Sequence, residues 1–193
     1  MADETRDRIL GAAREVFARD GYEGATTRQI AAAADVNIGT LAYHFGGKEG
    51  LYRAVLDRMY ASMLTVALPA PLADEARARI RQIVGRLWEF AVAHEVDIRL
   101  LLRQMLDRDA LRAEVGSRWT PEATAAGLRL LAAVDLPRRD RPAHEVLLAL
   151  VTLNHLLARY AVTPSEDRQA LFGPDADTAI PDHLAEVAFR LLG

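Results

Sequence analysis

Apolar residues recur along this chain at spacings of three and four, from Ile9 near the start to Leu192 near the end, and strand signals are essentially missing. That period lines one side of a helix, not one face of a sheet. Eight prolines punctuate the pattern, and the stretches between them read as helices. Ala and Leu dominate while aromatics make up 6%, a bias toward helix. The chain is predicted to be all-α.

The spacing predicts a first helix over 4–19, with Ile9, Ala13, Val16 and Phe17 on one face. Gly21 suits the stop position, and Tyr22 folds back as its apolar clasp. Short helices over 27–34 and 38–45 follow, then one from Lys48 that the prolines at 69 and 71 end. Further helices are expected over 74–94, 96–106, 143–162 and 181–192, with two pieces around Pro121 reaching 134. Residues 137–142 read as an Arg-rich break, and 164–177 as a loop or a short turn of helix.

Composition narrows the function classes. At 51% hydrophobic and 26% charged, 193 residues fold around a sizeable core rather than staying disordered. A net charge of −3 excludes a polybasic nucleic-acid coat, so any DNA contact must come from a local site. The absence of cysteine removes disulfides, thiolate metal sites and cysteine nucleophiles. No apolar run suits a signal peptide or a bilayer span of about 20 residues, so a soluble cytoplasmic protein is expected.

The informative stretch is 25–51, two short helices around a tight turn at Asp35-Val36-Asn37. Asp35 tolerates the left-handed backbone conformation, and Asn37 caps the helix that follows. Ile30, Ala31, Ala34, Val36, Leu41 and Phe45 lock the pair, the alanines allowing close crossing. The outward face of the second short helix then offers Thr40, Tyr43 and His44. This is the layout of a helix-turn-helix, whose second helix enters the major groove.

The same stretch resembles the N-terminal domain of the TetR family of transcriptional regulators. The likeness rests on the Thr-Arg-x-Ile-Ala opening, the Gly-Thr-Leu segment, the Tyr-His-Phe ending and the lysine shortly after, with Phe17, Gly21 and Tyr22 upstream. It covers the first quarter to third of the chain. The resemblance implies that Thr27 and Arg28 touch the DNA backbone or groove edge, and that Asn37, Gly39 and Thr40 meet the groove. By the same likeness, Tyr43 and His44 form a phosphate-facing pair and Lys48 grips a phosphate. Three positions depart from the family: Ala42 stands where many members have Tyr, Ile38 where a basic residue is frequent, and Gly46-Gly47 replaces a Pro-Ser type turn. Residues 1–58 hold eight basic side chains against nine acidic ones, so backbone amides at helix N-termini are expected to carry part of the phosphate contact.

Residues 1–48 are thus read as a helix-turn-helix DNA-binding domain and 49–193 as a helical ligand-binding and dimerisation domain. The helix over 143–162 has a wide apolar stripe with Asn154 inside it, suited to packing on its own core and on a symmetry mate. The resemblance implies that homodimer, a double-stranded DNA operator and a small-molecule effector. Trp88, His94, Met105, Trp119 and Asn154 are the candidates for an effector pocket, plain core packing being the alternative for the aromatic, Met and His positions. Asn154 reads equally as a register residue or one bonded to backbone. Glu95, Arg99, Arg103 and Asp107 form an i, i+4 ladder, read as a solvated face.

Catalytic and metal patterns are missing. None of the five histidines follows a Glu at helical di-iron spacing, and neither His-Glu-x-x-His, a P-loop nor Gly-x-Ser-x-Gly occurs. No metal or cofactor and no catalytic residue is expected. A ligand-responsive repressor is the reading; a helical protein-binding adaptor or a small helical enzyme is the alternative.

Overall fold

The computed structural model describes residues 2–68, 70–106, 110–134 and 142–192, the side chains at 2, 105, 106, 110–113, 131, 134 and 143 excepted. Among the described residues there are ten helices and no strand. They are α1 (Ala2–Gly24), α2 (Thr27–Ala33), α3 (Ile38–Phe45), α4 (Lys48–Met63), α5 (Ala76–Ala93), α6 (Glu95–Leu106), α7 (Ala110–Val134), α8 (Ala143–Ala161), α9 (Ser165–Phe172) and α10 (Ala176–Leu192). Two compact units share them. Met1–Thr65 with Arg99–Pro121 form one, and Val66–Ile98 with Glu122–Gly193 the other. No single described helix is long and apolar enough to cross a membrane.

In the first unit α1 packs against α2 and α4, and α3 bridges α2 and α4. Ile9, Phe17, Ile30, Leu41, Leu51 and Leu56 are fully buried between them. Phe17 meets Tyr52 edge-on at 4.8 Å, and Tyr22 lies at the same distance from Tyr52 and 6.2 Å from Phe17. The clasp expected of Tyr22 is therefore a three-ring cluster. Leu51, Tyr52, Val55 and Met59 of α4 also belong to this core.

Helix α1 outlasts the expected stop at Arg19. Gly21 interrupts it with φ 74 and ψ 177, a region open essentially to glycine alone, and helical geometry resumes to Gly24. Arg103 Nη2 donates to the Arg19 carbonyl at 2.6 Å, two residues before the kink. Arg103 thus belongs to a tertiary contact, not to the solvated ladder its spacing suggests; Asp107 lies outside the described residues.

Two prolines sit inside helices, at positions where the sequence pattern predicts breaks. Helix α7 is continuous through Pro121. Ser117, whose carbonyl loses its helical donor there, is exposed, as is Pro121, so water can serve that carbonyl. Helix α10 begins at Ala176, ahead of Pro181, where the Asp175 carbonyl accepts the amides of Thr178 and Ala179 at 3.0 and 2.9 Å. The stretch expected to be a loop or a short turn of helix holds α9.

In the second unit α10 lies against α5, α8 and α9. Alanines 158, 161, 185 and 188 are buried there, letting helices approach closely around Ile80, Ile83, Ile180 and Leu184. Arg168 is the unit's buried cation. It donates through Nε to Asp177 Oδ1 at 2.7 Å, through Nη1 to the Thr163 carbonyl, and stands 5.4 Å from the Trp88 ring. These partners offset the cost of burying a guanidinium.

Candidate nucleic-acid interface

The turn between α2 and α3 is built from local hydrogen bonds. Thr26 caps α2: its hydroxyl accepts the Gln29 amide at 3.2 Å, while Gln29 Oε1 accepts the Thr26 amide at 2.9 Å. That reciprocal box fixes where the helix starts. Helix α2 ends at Ala33, and Asp35 then takes φ 52, the left-handed value that turns the chain. Asn37 has extended geometry and begins α3 by accepting the Thr40 amide at 2.7 Å on Oδ1. At the far end Gly46, with φ 71, donates to the Ala42 carbonyl at 2.8 Å and closes α3.

These bonds decide which side of α3 faces out. Leu41 is buried, with Ala31, Ala34 and Ile30 buried on α2. Four residues share the exposed arc: Ile38, Gly39, Ala42 and Tyr43. Tyr43 is 86% exposed and is met edge-on by His44 at 5.3 Å. Thr40 sits on the flank, half-buried, and its hydroxyl donates to Asn37 Oδ1 at 3.0 Å. Thr40 and Asn37 border an open hollow that Thr5, Ala32 and Asp35 also line.

The remaining candidates fall around this arc. Thr27 is half-buried and Arg28 exposed in the first turn of α2. Lys48 lies with its Nζ 4.4 Å from the Tyr22 ring centre and 3.5 Å from the Glu23 carbonyl, joining α4 to the end of α1. Arg6, which the motif does not contain, lies 5.3 Å from the Phe45 ring and so reaches the C-terminal end of α3 from α1. In the sequence Ile38 and Ala42 stand out only as departures from a family pattern, yet they form half of the outer arc. Their helical spacing from buried Leu41 is the signal that places them there.

The pocket candidates fall in both units. Trp88 and His94 lie on α5 and at its end, and Asn154 on α8, all in the second unit. Trp88 is buried beneath Arg168; His94 stacks on Phe90 at 4.0 Å; Asn154 is exposed. Trp119 belongs to the first unit, where Nε1 donates to Asp57 Oδ1 at 2.9 Å and the ring stacks on Tyr60 at 5.8 Å. Tyr60 in turn donates to Gln104 Oε1 at 3.0 Å, and partial burial raises its hydroxyl above the usual tyrosine range. The Met105 side chain lies outside the described residues. No hydrogen bond or ring contact among the described side chains links one candidate to another.

Known proteins resemble this chain most clearly over its N-terminal helices. The model of bacterial regulatory proteins of the tetR family matches residues 9–55, which contain α2 and α3 entire. That stretch is similar to the N-terminal domain of the TetR family. It is 37% identical over 108 residues to the HTH-type transcriptional repressor NicS of Pseudomonas putida, across 55% of this chain and 50% of that protein. It is 31% identical over 116 residues to the HTH-type transcriptional repressor AcnR of Corynebacterium efficiens, across 60% and 56%. The chain therefore spans about half the length of these relatives. Its whole fold is matched by a TetR-family regulatory protein from Rhodococcus RHA1, with a TM-score of 0.72 and 23% identity over 98% of this chain and 97% of that one. A transcriptional regulator, SCO4942, from Streptomyces coelicolor gives 0.70 and 24% over 96% and 97%.

Proposed function

We propose that the protein is a transcriptional repressor that binds a pseudo-palindromic operator as a homodimer and releases it on taking up a small-molecule effector. One observation carries the DNA-binding part: α3 is held by the Asn37 cap and the buried Leu41 so that a whole arc of it stands clear of the first unit. A helix presented in that way after a tight turn fits the major groove. Similarity to two named repressors supports the same reading.

In this reading Arg28, Tyr43, His44 and Lys48 contact the phosphate backbone. Thr27, Asn37, Gly39 and Thr40 approach the groove. Residues 1–48 are the reader, and the helices that follow dimerise and hold the effector. Leu147, Leu148 and Val151 leave α8 with an exposed apolar side, which suits a second copy of the chain. Coupling of about 1–3 kcal/mol between effector and operator suffices for regulation.

Enrichment of duplexes from a random pool by the intact protein, with and without candidate effectors, tests the proposal. It expects a two-fold symmetric site bound by two protomers. An adaptor or an enzyme would enrich no sequence.

A further inference from the structure

We infer that α3 reads A·T base pairs through the thymine methyl group, with Ile38 and Ala42 as the reading surface; the inference rests on the DNA-binding function proposed above. Among the described residues of the first unit, the large apolar side chains left exposed are Ile38, at 45%, and Tyr43, and both lie on the outer arc of α3. A unit that buries Ile9, Ile30 and Leu41 completely has room in its composition for a polar residue at position 38, yet an isoleucine faces solvent there. Ala42 stands one helical turn on, so its methyl and the Ile38 side chain are neighbours on one strip. Gly39 between them adds no side chain to hold the strip away from a flat surface.

The amide oxygens nearest this strip are engaged by their own helix starts. Bidentate reading of guanine needs Arg or Lys, and α3 contains neither. Bidentate reading of adenine needs a free Asn or Gln amide. Asn37 Oδ1 is engaged by the Thr40 amide and hydroxyl at 2.7 and 3.0 Å, and Gln29 Oε1 by the Thr26 amide and hydroxyl at 2.9 and 2.7 Å. Beside the Tyr43 phenol, the outer arc of α3 presents hydrocarbon at Ile38 and Ala42. Of the four bases, thymine alone presents hydrocarbon in the major groove, at its C5-methyl. The match is one of chemistry, apolar strip to methyl group, and it works on an uncharged helix in a domain where acidic side chains outnumber basic ones.

The test uses the full-length protein and the duplex it enriches from a random pool. Each thymidine under α3 is replaced by deoxyuridine, which removes the methyl and leaves base pairing intact. Loss of each contacted methyl is expected to weaken binding about fourfold. The same replacement outside the α3 footprint is expected to change nothing. Ile38→Ala should abolish the effect at one position of each half-site while the thermal midpoint stays that of the wild type. Equal affinity for the deoxyuridine and thymidine duplexes, or an enriched site with only G·C pairs under α3, overturns methyl reading and leaves DNA binding standing. Failure to enrich or bind any duplex overturns the proposed function itself, and this inference with it.

Discussion

Lys48 Nζ lies 4.4 Å from the centre of the Tyr22 ring, so the first residue of α4 is pinned to the last turn of α1. Tyr22 is in turn 4.8 Å from Tyr52 of α4, which closes a loop of contacts around the turn that follows α3. The ammonium stays half-exposed at the edge of the unit, where a DNA phosphate can share it. Lys48→Ala is expected to weaken binding alike on every duplex and to lower the salt slope by about one per protomer. Loss of the cation–π contact should cost only about 0.5–1 kcal/mol of stability. Anisotropy titrations at several salt concentrations, with a denaturant curve alongside, separate the two effects.

Asn37 has a different part, because its oxygen starts α3. Asn37→Ala removes the acceptor for the Thr40 amide and is expected to cost about 1 kcal/mol in urea unfolding, with weaker binding to all sequences. Asn37→Asp keeps the cap and adds a negative charge beside the groove. Stability should hold in that variant while affinity falls, a split that unfolding and binding measurements read directly.

Close approach makes Gly50 indispensable. A Cβ there would run into the Phe45 carbonyl oxygen, which is backbone and has little freedom to withdraw. Gly50→Ala is expected to destabilise by about 1–3 kcal/mol. Gly11 is the opposite case, an exposed glycine in the middle of α1, where an added Cβ would meet nothing within 4 Å. Gly11→Ala should stabilise by about 0.5–1 kcal/mol, and thermal or urea unfolding of the two variants checks both signs.

Local hydrogen bonding and helical period make the reading head legible in the amino-acid sequence. Asn37 before an apolar-periodic segment places the start of α3 at Ile38, and Asp35 accounts for the turn, because both signals act over three or four residues. The outward arc of α3 is legible only in part: Tyr43 lies on it as expected, Thr40 and His44 are half-buried at its flanks, and Ile38, Gly39 and Ala42 complete it. The long-range contacts are hidden for the complementary reason. Arg103 reaching the Arg19 carbonyl, and Arg168 lying over Trp88, join residues far apart along the chain, and no local pattern encodes either pair. The prolines mislead as punctuation. A helix tolerates the lost donor at Pro121 where the orphaned carbonyl is exposed to water, and sequence alone does not say which side that is.

Glu75 makes stability depend on acidity. It caps α5 by accepting the Arg77 and Ala78 amides, both at 2.9 Å, and those bonds hold its carboxyl below the usual value of 4.5. A lowered folded value means the contribution is present above about pH 4.5 and is lost as pH falls through the folded value. Thermal midpoints of wild type and Glu75→Ala should therefore differ at pH 7 and converge as the pH drops below about 4.5.

The account depends most on α3 entering a duplex. Fluorescence anisotropy of an enriched, labelled duplex, titrated with the intact protein at low ionic strength and without effector, measures this directly. The expected result is saturable binding at two protomers per duplex that weakens steeply with added salt. A flat titration with every duplex offered, from a protein whose unfolding curve shows it folded, would contradict the account.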